Sequence, residues 1–437
     1  MAMGRQRRSV TTRNIYKTFR YVEVISPKAV VDIRAVSAVV RHYPQLLSSY
    51  AVFKSQDPIL QGIWDICDRA LRNCTQESYL DCPSREKGQY LGDNTVIGHA
   101  HLYLSGDSRM WKKALHEFAL SSAVCPGLMA VVPGNLMQEI ADFSCQWPMQ
   151  LLTYYKLTGD RAFLLDMLPY AEGVVAYFNC YQREDGLIEH VKEKWNLVDW
   201  PDNLRDGYDF PLTRPVSDGC HAVMNAWYVG AIRAVQDIKD ILAIAYDDVL
   251  PALKQAFRHA FYCPEAHVFA DSKLTKHASL HANVLSLLFG LAPEEAVPAI
   301  VALIRHKRFS CGVYMSYFVL KSLAKAGEYE LIYELIMSDD ERSWQNMLRE
   351  GATTDEAWGK EQKWNTSLCH AWASSPIPVL IEEIFGLTLV SEECKSYVCE
   401  RKLPSGLKPF ELQLTLPAGR LMLSYDGSKL EHRLERE

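Results

Sequence analysis

The sequence contains no Cys-x-x-Cys pair, no Gly-rich phosphate loop, no Gly-x-Ser-x-Gly elbow and no His-Glu-x-x-His motif. Nucleotide chemistry, serine hydrolysis and zinc proteolysis therefore find no support in it. It also lacks any run of about 18 apolar residues, the length a membrane-spanning helix needs. A strong excess of either charge is missing too: 47 basic residues stand against 53 acidic ones, a net charge of −6. That balance argues against nucleic acid or an anionic membrane as the main partner. The first residues are basic, through Arg5, Arg7, Arg8 and Arg13, but no apolar stretch follows them, so they do not read as a secretory signal. Twelve cysteines are present at irregular spacing. The simplest reading is a reduced, cytoplasmic chain.

What is present fits a large enzyme. With 437 residues and 48% hydrophobic content the chain can bury a sizeable core. Its length would allow two to three domains, although barrels often run as one unit. Two stretches near the start read as β, Phe19-Arg-Tyr-Val-Glu-Val-Ile25 and Val30-Val-Asp-Ile-Arg-Ala-Val-Ser-Ala-Val39. From Asp57 to about Phe385 apolar residues recur at spacings of three and four, as in Ile59, Ile63, Trp64 and Cys67. About a dozen such segments follow one another with no convincing strand between them and no 33- to 45-residue consensus, which predicts a closed helical toroid rather than an open solenoid. After residue 386 the pattern returns to β: Phe410-Glu-Leu-Gln-Leu-Thr-Leu416 alternates strictly, and Arg420-Leu-Met-Leu-Ser-Tyr425 follows a Pro-Ala-Gly turn. The expected division is a β segment and linker over 1–54, a helical barrel over 55–388 and a β segment over 389–437. A first β piece without partner strands would leave an edge open to another chain, a route to a homodimer.

Two acidic segments carry the chemistry. Asp81-Cys-Pro-Ser-Arg-Glu-Lys-Gly-Gln-Tyr-Leu-Gly-Asp93 is broken by Pro83, Gly88 and Gly92 and so predicts a loop. It sets Glu86 beside Arg85, with Asp81 and Asp93 close by, a setting in which carboxyl pKa values are pushed apart. Far downstream, Gly351-Ala-Thr-Thr-Asp-Glu-Ala-Trp358 places Glu356 in another short connection. A ring of helices can bring such distant loops to one mouth, where two carboxylates serve as acid and base.

At these residues the chain resembles the inverting α-L-rhamnosidases of glycoside hydrolase family 78, whose catalytic domain is an (α/α)6 barrel. The likeness takes in the 81–93 loop, the Leu157-Thr-Gly-Asp160 helix end and the Trp195 to Trp200 loop. It continues through His277-Ala-Ser-Leu-His-Ala-Asn283, the 351–358 segment and His370-Ala-Trp372, over roughly residues 15 to 425. It implies a mainly α fold, with Glu86 as general acid, Glu356 as general base, and Asp81, Arg85, Asp93 and His370 on the sugar hydroxyls. A carbohydrate is the implied partner, and neither cofactor nor metal is implied. Complete β-sandwich domains normally flank the barrel in that family, and only about 50 residues stand on each side here. Two departures appear in the motifs. Tyr90 stands where many members have tryptophan, leaving a smaller stacking surface. Asp355 directly precedes Glu356 and is a second candidate for the base.

Other readings stay open at this level. An acid must be protonated to work, so Glu86 is expected to be raised toward neutrality, and Arg85 to bind Asp81 or a hydroxyl instead of Glu86. Trp195, Asp199 and Trp200 form either a sugar platform with acceptors or a packed loop. Asp142 and Trp358 are further binding candidates, whereas Trp147 reads as core. His277 and His281, four apart, are metal-ligand candidates or inward-facing polar residues. Cys82 is a nucleophile or a small buried side chain that holds its loop. A carbohydrate-binding protein without turnover, or a hydrolase of a different sugar, is the alternative function.

Overall fold

A computed structural model describes residues 37–44, 46, 48–134, 138–191, 194–208, 219–390, 396–399 and 401–436, with residues 18, 23, 25 and 35. Helices dominate. In chain order they are α1 (Pro58–Cys74), α2 (Leu91–Ser105), α3 (Arg109–Ser121), α4 (Ala141–Ser144), α5 (Trp147–Thr158), α6 (Arg161–Asn179) and α7 (Ala222–Leu242). Then come α8 (Leu250–Phe261), α9 (Leu280–Leu288), α10 (Val297–Lys307), α11 (Val313–Lys325), α12 (Tyr329–Ile336), α13 (Trp344–Glu350) and α14 (Pro376–Val379).

Local chemistry sets their ends. Asp57 accepts from the Ile59 amide at 3.0 Å, and Pro58 opens α1 where its missing N–H costs nothing. The Leu157-Thr-Gly-Asp160 signal is a stop and a start. Gly159 turns left-handed at φ 70° to close α5, and Asp160 caps α6 through the Phe163 amide. The helices then sort by burial. α1 is one-sided, with Leu60, Ile63, Trp64, Cys67 and Leu71 inward, whereas α2 is buried at every position except Thr95. Among the more deeply buried helices, α2 packs on α5, α5 on α7, α7 on α9, α9 on α11, α11 on α14, and α14 back on α2. This is a closed inner ring, and α1, α3, α6, α8, α10 and α12 lie outside it: an α/α barrel, as the periodicity predicts.

Strands occupy the margins. Val52–Ser55 (β1) pairs antiparallel with Phe410–Leu416 (β6), which continues to Gly419–Tyr425 (β7) and Leu430–Glu435 (β8) in a four-stranded sheet ordered β1-β6-β7-β8. The two terminal regions thus share one sheet. Phe53 of β1 stacks on Trp64 of α1 at 4.5 Å and neighbours Phe385 and Phe410, so the sheet is seated on the helical body. The outer strand β8 carries Glu431, Arg433 and Glu435, charges that discourage edge pairing. Two small hairpins complete the set among the described residues: Tyr262–Cys263 (β2) with Val268–Phe269 (β3), and Leu387–Leu389 (β4) with Tyr397–Cys399 (β5). The first lies inside the helical region, where no strand is expected, and two-residue strands are too short to show a sequence pattern. The β stretches anticipated over 19–25 and 30–39 fall mostly outside the described residues, and the described part, residues 23, 25, 35 and 37–39, is not in a strand.

Candidate active site

A cavity of about 260 Å³ opens where the segments leading into the inner helices converge. Asp81, Glu86, Tyr90 and Asp93 line it from before and within α2. Gln138, Ile140 and Phe143 come from around α4, and Trp195, Leu197 and Trp200 from the loop ahead of α7. Glu356, Lys363, His370 and Trp372 arrive before α14. Small for a drug-sized site, which runs to roughly 300–1,000 Å³, the cavity has the scale of one sugar ring.

The first loop folds on its own aspartate. The Asp81 amide donates to the Gly88 carbonyl at 2.8 Å, and the Gly88 amide donates back to Asp81 Oδ1 at 2.9 Å. Burial raises the Asp81 carboxyl to about 7; Asp93 and Glu86 add to the rise and His370 opposes it. Glu86 behaves otherwise. Arg85 Nε donates to Glu86 Oε1 at 2.6 Å and the Cys82 thiol to Oε2 at 3.1 Å. Burial favours the neutral form of Glu86, but these two donors and the charge of Arg85 outweigh it, and its pKa lies below the ordinary value. Both expectations about this pair are therefore corrected: Arg85 does bind Glu86, because the two are consecutive in a tight turn, and it lowers the carboxyl instead of leaving it raised. Cys82 is a buried support, its thiol pushed up to about 11 by burial and the Asp81 charge, which leaves it protonated and a poor nucleophile.

The second loop is zipped to the segment before α14. The Glu356 amide donates to the Ser367 carbonyl at 2.9 Å, and the His370 amide to the Thr354 carbonyl at 2.8 Å. Glu356 is thereby sealed in, its side chain 4% exposed, and it accepts from Arg85 Nη2 at 3.0 Å, Trp200 Nε1 at 3.1 Å, the Ser367 amide at 2.8 Å and Lys363 Nζ. Burial would raise it, yet the charge of His370, with Lys363, the Ser367 amide and Arg85, holds it down to about 2. His370 bonds Asp93 at 2.8 Å, and the charges of Asp93, Asp81 and Glu356 raise its pKa against its burial. Asp355, 2% exposed, lies outside the cavity wall, and burial, helped by Glu350 and Cys369, raises its carboxyl to about 7.

The tryptophan loop is a platform braced from behind. Trp195 and Trp200 meet edge to face at 6.0 Å, both in the cavity wall, and Trp195 Nε1 is a buried donor with no partner among the described residues. Between them Val198 sits at φ 60°, an uncommon conformation for a β-branched residue. Asp142 holds it there by accepting from the amides of Leu197 at 3.0 Å and Val198 at 2.8 Å. Asp199 is fully buried, bonded to His281 Nε2 at 2.6 Å and to the Gly312 amide at 2.7 Å. Gly312 must be glycine, because a Cβ would lie 2.3 Å from the Trp200 carbonyl oxygen.

Of the residues predicted to bind substrate, Asp81, Tyr90, Asp93, Trp195, Trp200 and His370 line the cavity together with Glu86 and Glu356, and Arg85 bridges the two glutamates. Asp142, Asp199 and Trp358 do not line it. The first two are loop braces, and Trp358 is fully buried, stacked on Phe309 at 4.9 Å with its N–H on the Cys311 carbonyl. Trp147 is core, as expected, bonded to the Leu115 carbonyl. His277 and His281 do not converge on a metal: the former bonds Asp271 at 2.6 Å, the latter Asp199. Among the described residues one group has metal-ligand geometry, Asp81, Cys82 and Glu86, but a protonated thiol and a carboxylate held by arginine make a weak ligand set. Sequence reasoning missed Lys363, Phe143 and Trp372. Trp372 sat inside a quoted motif; nothing in the sequence distinguishes Lys363 from other lysines.

The family model of the bacterial alpha-L-rhamnosidase six-hairpin glycosidase domain matches residues 48–384. An alpha-L-rhamnosidase of Formosa agariphila is 20% identical over 96% of this chain and 46% of its own length. One from Alteromonas sp. is 23% identical over 80% of this chain and 38% of its own. The chain thus spans less than half the length of these curated relatives. Among solved structures, a glycoside hydrolase family 78 rhamnosidase of Bacillus sp. GL1 superposes with a TM-score of 0.78 at 22% identity, covering 90% of this chain and 42% of that one. A Streptomyces avermitilis alpha-L-rhamnosidase complexed with L-rhamnose gives 0.73 at 20% identity, covering 86% and 36%. At these identities the structural likeness is one of fold.

Proposed function

The chain belongs to the bacterial alpha-L-rhamnosidase six-hairpin glycosidase family, and we propose from that premise that it releases terminal α-L-rhamnose from a glycoside with inversion, Glu86 acting as general acid and Glu356 as general base. The observation that carries the reading is the pair of glutamates, 270 residues apart in sequence (356 − 86), on one guanidinium: Arg85 bonds Glu86 at 2.6 Å and Glu356 at 3.0 Å. A base that activates water must stay ionised, and Glu356, held down to about 2, meets that need. An acid must reach the leaving oxygen at the rim, and Glu86 is the more open of the two, its side chain 36% exposed.

In the reaction the sugar occupies the cavity. Tyr90, Trp195 and Trp200 cover its apolar faces, Asp81 and Asp93 meet its hydroxyls, and the unpartnered Trp195 N–H donates to one of them. When the glycosidic oxygen settles on Glu86 it displaces Arg85, and the carboxyl takes up a proton from the open rim and delivers it as the C–O bond breaks. Water on the opposite face loses its proton to Glu356 as it attacks, giving the β anomer. Incubation with an aryl α-L-rhamnoside tests this. Rhamnose release, unaffected by chelator, is the expected result. Binding of rhamnosides without release would mark a carbohydrate-binding protein, and release of another sugar in preference would reassign the substrate.

A further inference from the structure

Trp364 is 93% exposed, the most open of the chain's described tryptophans, and its place on the chain is specific. The Thr366 amide donates to the Lys363 carbonyl at 3.3 Å, closing a turn with Trp364 and Asn365 at its tip. Both neighbours reach into the site. Lys363 Nζ bonds Glu356 and lies 5.3 Å from the Trp200 ring, and the Asn365 carbonyl accepts from Arg85 Nη1. The turn is further pinned by Asn203, which donates to the Gln362 carbonyl at 3.3 Å. An indole is thus held open to water beside the rim where Glu86 and Arg85 are exposed.

We propose that Trp364 is the platform of a leaving-group subsite that takes a ring with an apolar face, either a second sugar or an aryl group, attached through the glycosidic oxygen. The proposal rests on the functional reading above. With the released sugar filling a cavity of one-ring size, the remainder of the substrate has to leave past Glu86, since the acid must touch the oxygen between the two parts. Arg85 and the 363–366 turn border that exit. Stacking supplies what an otherwise polar rim lacks, an apolar contact indifferent to hydroxyl pattern.

The test compares Trp364→Ala and Trp364→Phe with the parent on three substrates: methyl α-L-rhamnoside, an aryl α-L-rhamnoside and a rhamnosyl-glucose disaccharide. Trp364→Ala should lower kcat/KM roughly 3- to 10-fold wherever a ring follows the oxygen. It should leave the methyl glycoside and inhibition by L-rhamnose unchanged, and Trp364→Phe should restore most of the loss. A deficit on the aryl substrate alone assigns the subsite to aromatic groups, and on the disaccharide alone to sugars. Equal loss on all three, or none on any, overturns the proposal. If the parent releases rhamnose from none of them, the functional reading fails instead. Calorimetric binding of the same three compounds to parent and Trp364→Ala then still reads the subsite.

Discussion

Glu86 and Glu356 touch the same arginine, yet their surroundings differ. The Glu356 side chain is 4% exposed and surrounded by four kinds of donor: a guanidinium, an ammonium, an indole N–H and a backbone amide. Glu86, 36% exposed, is held by Arg85 and a thiol in a turn at the rim. A carboxylate with so many fixed donors is an anion at any working pH. One whose chief partner is a single exchangeable arginine can change state when a ligand replaces that partner. On the proposed reading this contrast distinguishes base from acid better than either residue alone, because reach and protonation are set by the same contacts.

The widest expected effect comes from exchanging each glutamate for its amide. Glu356→Gln should lower kcat by about 10²- to 10⁴-fold on every rhamnoside, since water activation is lost whatever departs. Glu86→Gln should match that on substrates with a poorly acidic leaving group and nearly recover on a nitrophenyl glycoside, which needs little protonation. Stopped assays over a series of aryl leaving groups check the contrast, and parallel losses for the two variants would erase it.

A smaller effect concerns Arg85. In the free site it lowers Glu86, whereas in the proposed complex the glycosidic oxygen takes its place. Activity that needs a protonated acid is lost as pH rises through that acid's pKa, so the alkaline limb of kcat/KM should fall at lower pH than that of kcat. Coincident limbs in the two pH profiles would show that Arg85 never leaves Glu86.

The site's cost in stability falls on Asp81. Its carboxyl is at about 7 in the fold against about 3.9 unfolded, so folding binds a proton between those values. Its contribution is fully present below about pH 4 and is lost as pH rises through about 7. Asp81→Asn, neutral throughout, should therefore be more stable than the parent at pH 8 by at most ~4 kcal/mol and similar near pH 4, at the expense of activity. Thermal melts at the two pH values decide, and equal melting differences at both would contradict the raised carboxyl.

Much of this arrangement was legible in the sequence. The 81–90 and 351–358 loops announced themselves through Pro, Gly and clustered carboxylates, although Gly92 and Asp93, read as loop, stand in the first turn of α2, and the three- and four-residue spacing gave the ring of helices. Direction was not legible. Asp199 and Trp200 are adjacent, yet one turns to His281 in the interior and the other to the cavity, and no composition rule distinguishes them. Asp142 has the chemistry of a sugar ligand but is used up holding Val198 in a strained turn. Lys363 matters only because the fold folds its loop back over Glu356. Arg85 shows the same limit, since adjacency to Glu86 left its rotamer, and hence its partner, undetermined.

The central claim is that Glu86 and Glu356 work on opposite faces of the bond as acid and base, with water between sugar and base. Proton NMR of the first sugar released from an aryl α-L-rhamnoside tests it most directly, read before mutarotation mixes the anomers. The account predicts β-L-rhamnose, because a water activated by Glu356 attacks from the face opposite the departing oxygen; α-L-rhamnose as the first product would mean that a carboxylate attacks the sugar itself, and would contradict it.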